Sequence, residues 1–227
     1  MLKKYLYFFF LSLLTQQAYA GGVSLGATRL VYPTSKDQVT LKIYNTDDKG
    51  NYLVQSWISD ENNKKVSDFI ITPPLFVIKS GVDNLLKVVF TGDKESLPKD
   101  REKLYFLNTK VIPSLSEKEK EAENALLIST TTRIKVFIRP DSLKEDPIES
   151  YKSLICKYDS GAVNVSNPTP FYMNLVSLSV NGKQVSEAET IPPKSSVSLK
   201  SPTNGDFLSF NFINDYGVQI KQRKCKL

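Results

Sequence analysis

The chain has 227 residues, a formal net charge of +6 and no histidine. The absence of histidine removes the commonest general base, the histidine-dependent nucleophile pairs and every histidine-containing metal site. Only two cysteines occur, Cys156 and Cys225, which are too few for a four-thiolate zinc site. These counts argue against an enzyme or a zinc protein, and we expect no cofactor.

The first twenty residues predict a secretory signal peptide. Lys3 and Lys4 precede an apolar run of ten residues, Tyr5 to Leu14, and Ala18 to Ala20 form a small-x-small cleavage site. The apolar run is much shorter than the roughly 20 residues needed to cross a bilayer. We therefore expect an exported chain that begins at Gly21 and is not embedded in a membrane.

The length of the mature chain predicts two domains. Removal of 20 residues from 227 leaves 207, a good match for two immunoglobulin-like sandwiches of about 100 residues each. Loss of the two signal lysines lowers the net charge from +6 to +4. A mildly basic chain with 24 acidic residues predicts a mixed-charge surface, and we expect no nucleic-acid partner.

Short runs that alternate between apolar and polar residues recur along the chain, separated by turn-forming residues. This period of two is typical of antiparallel sheets with one buried face. In the first half the runs predict six strands: Val39–Ile43, Tyr52–Ile58, Phe69–Ile71, Leu75–Ile78, Leu86–Phe90 and Tyr105–Ile112. An earlier strand contains Arg29. Helical periodicity is scarce, so the sequence predicts an all-β fold.

A charged segment and an unusually long strand follow. Pro113 to Asn124 carry six charges among twelve residues, which predicts a mobile surface loop. The next run, Ala125 to Ile138, has fourteen residues, more than the roughly 3 to 10 of most strands. A strand that extends beyond its sheet presents unpaired backbone groups.

Prolines and charges at Arg139–Asp141 and Lys144–Pro147 predict a linker. Beyond it, Asn181-Gly182 lies between two runs of strand character and predicts a two-residue type I′ hairpin. Further strands are predicted around Val197 and Leu199, in Phe207–Phe212 and in Val218–Ile220. The predicted division is a signal peptide at 1–20, a first domain at 21–141 and a second domain at 142–227.

The two cysteines predict a structural link within the second domain. In an oxidising compartment such a pair forms a disulfide more often than it stays free. A bond between Cys156 and Cys225 would connect the start of the second domain to its last strand.

Two cations occupy predicted strands. Arg29 lies in the first mature strand, and Lys135 points away from the face of its neighbours Ile134 and Val136. Each has an ordinary explanation, because an arginine stem can cover a sheet while its head stays in water, and a strand lysine can be fully solvated. If their strands meet at one edge, both cations could bind one anion such as a peptide carboxylate.

Leu126 and Ile128 share one face of the long predicted strand. They could fill successive pockets of a partner, or they could pack in an ordinary core. The spacing of the residues does not choose between these two roles.

Five motifs occur in order along nearly the whole mature chain. They are Val23–Leu25 with Thr28-Arg29, Asp100–Glu102 leading into Leu104–Asn108, Ile134–Pro140, Asn167–Tyr172 and Ile213–Gly217. Each is weak alone, but together the chain resembles the PapD-like periplasmic pilus chaperones of the chaperone-usher pathway.

The resemblance implies two immunoglobulin-like β-sandwich domains in an L-shaped arrangement. It implies that Arg29 and Lys135 bind the C-terminal carboxylate of a pilus subunit. The long strand would pair with the subunit, with Leu126, Ile128 and Thr130 filling its groove, which is the family's donor-strand complementation. The implied partners are pilus (fimbrial) subunits and an outer-membrane usher. The free chain could also cover its own open edge by forming a dimer.

The resemblance also assigns Glu102, Arg139 and Asp215 to a charge network between the domains. The alternative is three unrelated surface charges. Such a network would fix the angle between the domains more than it would add stability.

Two features depart from the family pattern. Thr130 stands where a third bulky apolar residue is common. The charged loop is a few residues longer than in the short-loop branch, to which the chain is otherwise assigned.

A competing hypothesis is a secreted two-domain adhesin or carbohydrate-binding module on the same sandwich, because a fold does not fix a function. An adhesin would bind a glycan or host ligand without any bacterial subunit. A chaperone would be recovered from the periplasm with a subunit bound. An enzyme is a more distant alternative, because no pairing of acidic, tyrosine or serine residues stands out.

Overall fold

The computed structural model of the protein describes residues 21–115, 127–201 and 203–227. The predicted signal peptide, most of the predicted charged loop and Leu126 lie outside these ranges. The described residues form sixteen strands and two short 3₁₀ helices. The predicted all-β fold is confirmed.

The first half of the chain forms two sheets. One has the strand order β1-β3-β7-β5 and the other β2-β9-β8-β4-β6. The elements of this half are β1 (Val23–Leu25), β2 (Arg29–Pro33), β3 (Val39–Asn45), β4 (Tyr52–Ser59), β5 (Phe69–Thr72), β6 (Leu75–Ile78), β7 (Asp83–Phe90), a 3₁₀ helix (Lys94–Ser96), β8 (Lys103–Pro113) and β9 (Thr130–Arg139). Among the described strands of this half, β2 and β9 form the only parallel pair.

The alternation of residues explains which faces are buried. In β3, Leu41 and Ile43 are buried while Thr40 and Lys42 are exposed, as period-two geometry requires. All six strands predicted for this half are present: Leu75–Ile78 matches β6 at both ends, and the other five differ from their predictions by three residues or fewer at an end. The differences arise because backbone pairing continues past the last apolar side chain, as in the Tyr44–Asp83 pair between β3 and β7.

The predicted fourteen-residue strand is shorter in the structure. It begins at Thr130 and includes Arg139, which was predicted to belong to the linker. The ladder with β8 ends at the pair between Thr130 and Val111. Two positions further along β8 stands Pro113, which has no amide hydrogen to donate. The residues 127–129 therefore have no ladder to join and lie outside any strand.

The second half forms a three-stranded sheet, β10-β11-β14, and a four-stranded sheet, β13-β12-β15-β16. Its elements are a 3₁₀ helix (Ser150–Ser153), β10 (Ile155–Asp159), β11 (Ala162–Asn167), β12 (Met173–Val180), β13 (Lys183–Ile191), β14 (Ser195–Lys200), β15 (Phe207–Ile213) and β16 (Gln219–Lys226). Seven strands in two sheets is the constant-type immunoglobulin count.

The turns of this half follow the local chemistry of the sequence. Asn181 and Gly182 join β12 to β13 with φ angles of 49° and 74°, as a type I′ turn requires. The last strand begins at Gln219, one residue later than predicted, because the amide of Val218 donates to the side chain of Asn214 at 2.9 Å. That bond holds Val218 in the turn.

Cys156 on β10 and Cys225 on β16 form a disulfide, with Cα atoms 5.8 Å apart. Both residues are buried. The bond joins the first strand of the second half to its last, as the sequence predicted. It therefore connects the two sheets at the edge of this sandwich.

Each half has its own apolar core. The first contains Leu41, Leu86 and Leu107 and draws on residues between 23 and 138. The second contains Met173 and Leu208 and draws on residues between 143 and 227. Two separate cores define two sandwich domains. Among the described helices, none combines the length and the apolar composition of a membrane span.

Candidate functional site

The structure places Arg29 and Lys135 side by side. β2 runs parallel to β9, and the two residues are register partners. Adjacent strands lie about 4.8 Å apart, and their register partners project from the same face of the sheet. Ile134 and Val136 are buried in the core, so Lys135 faces away from that core. Both cations therefore project on the same side of the five-stranded sheet.

The ammonium group of Lys135 is held by uncharged side chains of the second domain. Nζ donates to Asn174 Oδ1 at 2.7 Å and to Thr190 Oγ1 at 2.5 Å. Asn174 on β12 and Thr190 on β13 are themselves register partners. Burial, and secondly the charge of Arg29, lower the pKa of Lys135 to about 8. The ammonium charge is thus positioned without being neutralised.

The guanidinium of Arg29 also has a hydrogen-bond donor without a partner among the described residues. Its Nη1 donates to the backbone oxygen of Ile213 at 3.1 Å, while its buried Nε finds no hydrogen-bond partner within the ranges that the structure covers. Burial lowers the pKa of Arg29, and the charge of Asp215 opposes this effect. An oxyanion bound between the two head groups would offset the repulsion between the two cations.

An open strand edge leads away from the two cations. β8 pairs with β9 from Thr130 to Ile138, whereas β2 pairs with β9 only from Lys135 to Arg139. Residues 130–134 therefore have no partner strand on the β2 side in the part of the chain that the structure describes. Such an edge offers backbone donors and acceptors to a strand from another chain.

Two of the three residues predicted to fill the groove of the subunit are described, and they lie at or just before the start of β9. Thr130 is the first residue of β9 and is exposed. Ile128 lies before the strand and is 65% exposed, while Leu126 falls outside the described residues. Ile128 is therefore not packed in a core in the free chain, which removes the core-packing alternative for this residue.

Glu102, Arg139 and Asp215 are brought together between the domains. Arg139 donates from Nε to Glu102 Oε1 at 2.7 Å and from Nη1 to Asp215 Oδ2 at 2.7 Å. The Glu102 side chain is only 1% exposed, and this burial raises its pKa despite the nearby Arg139. Burial alone would lower the pKa of Arg139. The carboxylates of Asp215 and Glu102 outweigh this effect, so the pKa of Arg139 is raised. The three charges are thus one network, not unrelated surface residues.

Backbone contacts reinforce the network. The amide of Glu102 donates to the oxygen of Pro170 at 2.9 Å, and the amide of Tyr172 donates to the Glu102 carboxylate at 2.8 Å. The loop that carries these groups is held by buried Asn167, whose Nδ2 donates to the oxygen of Phe171 at 2.7 Å. This connection ties the start of β8 to the second domain.

Sequence reasoning missed Asn174 and Thr190. Both are ordinary polar residues in strands, and no local pattern marks them. They contact Lys135 only because the second domain presents β12 and β13 to the cleft. Asn167 belongs to the motif Asn167–Tyr172. Its role in shaping the loop against Glu102 could not be predicted, because it depends on contacts with residues distant in the sequence.

The chain matches two family descriptions. "Pili and flagellar-assembly chaperone, PapD N-terminal domain" matches residues 22–144, and "Pili assembly chaperone PapD, C-terminal domain" matches residues 149–224. Among similar sequences is the probable fimbrial chaperone protein ElfD of Escherichia coli O157:H7. It is 40% identical over 213 residues, which are 93% of this chain and 90% of ElfD.

Solved structures of similar proteins share the fold. The periplasmic chaperone SfaE superimposes with a TM-score of 0.80 at 33% identity, over 91% of this chain and 100% of SfaE. The Salmonella enterica SafB chaperone, solved in complex with the SafA pilin, gives a TM-score of 0.82 at 30% identity. That match covers 92% of this chain and 98% of the solved chain.

The matches span both sandwich domains, and they favour a chaperone over the adhesin or carbohydrate-binding alternative. The similar proteins are assembly chaperones, so the chain is not expected to catalyse a reaction. The chain therefore belongs to the PapD-like family of periplasmic pilus-assembly chaperones, which bind pilus subunits.

Proposed function

We propose that the chain caps pilus subunits by donor-strand complementation, with Arg29 and Lys135 binding the C-terminal carboxylate of the subunit. The register pairing of the two residues supports this role, because it aligns a guanidinium and an ammonium on one sheet face. A guanidinium binds a carboxylate through two parallel hydrogen bonds, and the ammonium adds a point charge. The register pairing of Arg29 with Lys135 is the observation that carries the proposal most directly.

The rest of the subunit would extend along the open edge of β9. If the C-terminal carboxylate of the subunit lies at Lys135, the subunit's last strand can run beside residues 130–134 of β9. Among the described residues, this stretch has no partner strand on the β2 side. Backbone hydrogen bonds do not depend on the subunit's sequence, so this mode tolerates different subunits. The carboxylate fixes the register, because a shift by one residue would reverse every side chain.

The side chains before and at the start of β9 would fill the subunit's apolar groove. Ile128 is exposed and free to do so, and Leu126 is placed in the same series by alternation. Thr130 offers a smaller apolar surface than the bulky residue common in the family. We therefore expect its pocket contact to be the weakest of the three.

The network of Glu102, Arg139 and Asp215 would hold the two domains at the angle that forms the cleft. Lys135 is positioned by Asn174 and Thr190 of the second domain. A change in the angle would therefore move the ammonium relative to Arg29. The predicted boundary between the domains lies at residues 141 and 142.

Export and delivery complete the proposed role. The first twenty residues would direct the chain to the periplasm and be cleaved after Ala20. The loaded chaperone would then deliver its subunit to an outer-membrane usher. A dimer of the free chain through the same open edge is a further expectation of this scheme.

The test is affinity purification of the tagged protein from the periplasm, with mass spectrometry of the proteins that accompany it. We expect a one-to-one complex with a pilus subunit, and we expect Arg29→Ala and Lys135→Ala each to abolish it. Circular dichroism of both variants should show an intact β-fold, because neither head group lies in an apolar core.

Lys87→Ala serves as the matched control. Lys87 is an exposed lysine on β7, in the sheet that does not contain the cations. This variant should recover the subunit normally. Normal subunit recovery and pilus assembly by both cleft variants would refute the proposed carboxylate anchor.

A further inference from the structure

The four-stranded sheet of the second domain is distorted on both sides of β15. The register between β15 and β16 shifts next to Phe210, and the register between β12 and β15 shifts next to Val176. Within these two shifts, Gln222 and Ser177 have φ angles of 52° and 56°, which are uncommon for residues other than glycine. Two β-bulges therefore face each other across β15. Bulges of this kind often redirect side chains beside a binding site.

The two bulges line a cavity of about 380 Å³, which we call the bulge cavity. Its uncharged polar lining consists of Ser177, Ser179, Ser209, Asn211 and Gln222. The amide of Gln222 donates to Asn211 Oδ1 at 2.8 Å, and this bond holds the bulge of β16 in place. Among the described residues that line the cavity, none is acidic. Hydroxyl and amide side chains both donate and accept hydrogen bonds, so this lining suits a ligand with several hydroxyl groups.

Two cations of β16, Arg223 and Lys224, also line the bulge cavity. The guanidinium carbon of Arg223 lies 5.1 Å from the ring centroid of Tyr151, whose side chain is buried. A cation stacked on a fixed ring is held in one orientation. Neither cation forms a salt bridge with an acidic residue in the ranges that the structure covers. The cavity therefore presents positive charge that is ordered and not neutralised.

An ordinary explanation for these cations is protection of a sheet edge. β16 is an edge strand, and four of its eight residues are cations: Lys221, Arg223, Lys224 and Lys226. Charges on an edge strand oppose pairing with another chain. This explanation is sufficient for Lys221 and Lys226, which do not line the bulge cavity. It does not explain why Arg223 is partly buried and stacked on Tyr151 beside two bulges.

We propose that the bulge cavity binds a phosphate group carried on a polyol, of which glycerol phosphate is the simplest example. A phosphate group presents several acceptor oxygens and close to two negative charges. These match the planar donors of Arg223 and the ammonium of Lys224. The neighbouring hydroxyl and amide side chains bind the polyol. The site is independent of the proposed carboxylate anchor, because Arg29 and Lys135 do not line it.

The experiment titrates the full mature protein with glycerol phosphate, inorganic phosphate or glycerol at constant ionic strength and follows the backbone amide signals by NMR. We expect glycerol phosphate to shift the signals of Ser177, Ser209 and Gln222. It should bind about fivefold more tightly than inorganic phosphate, the effect of one additional hydrogen bond. Glycerol alone should bind more weakly than either anion, because it offers nothing to the two cations.

Variants of β16 test the two cations. Arg223→Gln and Lys224→Gln should each weaken glycerol phosphate by at least about tenfold, the effect of losing a charge-assisted hydrogen bond. Lys224 is exposed, so its replacement keeps the test valid even if Arg223→Gln impairs folding. Lys226→Gln is the matched control, because Lys226 is an exposed lysine of the same strand that does not line the cavity. It should bind like the unmodified protein.

Vesicle sedimentation distinguishes a soluble ligand from a lipid. Phosphatidylglycerol carries glycerol phosphate in its head group, whereas phosphatidylserine has the same net charge without the polyol. Retention on phosphatidylglycerol vesicles in preference to phosphatidylserine vesicles would identify the ligand as a lipid head group. Binding of soluble glycerol phosphate without retention on vesicles would identify it as a soluble ester. Both results support the site.

Three results would overturn the inference. Amide signals of the cavity residues that do not respond to glycerol phosphate would exclude the site. A loss for Lys226→Gln as large as that for Lys224→Gln would show general attraction to a basic strand instead of a defined cavity. Equal affinities for glycerol phosphate and inorganic phosphate would refute the assignment of the ligand as a phosphorylated polyol.

Discussion

Binding of a carboxylate in the cleft should weaken as the pH rises through about 8, the pKa of Lys135 in the unliganded protein. Burial and the adjacent Arg29 favour loss of the lysine proton, whereas a bound carboxylate favours its retention. The protonated form is therefore the one that binds. By reciprocity, binding raises the pKa of Lys135.

The magnitude follows from the protonated fraction. With a pKa of about 8, Lys135 is roughly 90% protonated at pH 7 and roughly 10% protonated at pH 9. The association constant for a peptide with a free C-terminal carboxylate should therefore fall about tenfold over these two pH units. Calorimetry with an N-acetylated peptide measures this change, because the acetyl group removes titration of the peptide's own amine.

Lys135→Arg distinguishes this lysine from other groups that titrate in the same range, such as the amino terminus of the mature chain. Arginine stays charged throughout the range, so the variant should bind with little dependence on pH. A flat profile for the unmodified protein between pH 7 and 9 would refute the reasoning. So would a tenfold decline that persists in Lys135→Arg.

The stability of the unliganded protein should change in the opposite direction. The pKa of Lys135 is lowered from 10.5 to about 8 on folding, so the unfolded chain binds more protons between these values. The contribution of Lys135 to the free energy of unfolding therefore rises as the pH increases through this window. Urea denaturation of Lys135→Met, which lacks this titration, provides the reference.

Two further predictions concern the scaffold. Arg139→Met should lower the free energy of unfolding by about 3 to 5 kcal/mol in urea denaturation, because it leaves the carboxylate of Glu102 buried without its cation. The loss should shrink as the pH falls, since a protonated Glu102 needs no cation. Replacing Cys156 and Cys225 together by alanine should cost about 4 kcal/mol, the loop-closure value for a separation of 69 residues.

Each scaffold prediction has its own check. Glu102→Gln combined with Arg139→Met should lose less stability than Arg139→Met alone, because no carboxylate is then left unpaired. An equal or larger loss in the double variant would contradict the burial argument. For the cysteine pair, two free thiols in non-reducing mass spectrometry of the periplasmic protein would remove the basis of the prediction.

The regular parts of the fold could be predicted from the sequence because their signals are local. Alternation within Val39–Ile43 marks the buried face of β3, and Asn181-Gly182 specifies its turn through backbone angles that few other residues adopt. The start of β9 at Thr130 could not be predicted in this way. It depends on the register of β9 against β8 and on the position of Pro113 in that partner strand.

For the candidate site, the sequence by itself determined which residues carry charge and which face of a strand each occupies, because side chains alternate at a fixed period of two. It placed Lys135 opposite Ile134 and Val136 without reference to any other strand. Only the tertiary structure decided that Arg29 becomes its neighbour and that Asn174 and Thr190 hold its ammonium group. Strand order and domain packing set those contacts, and both arise from burial of apolar surface across the whole chain.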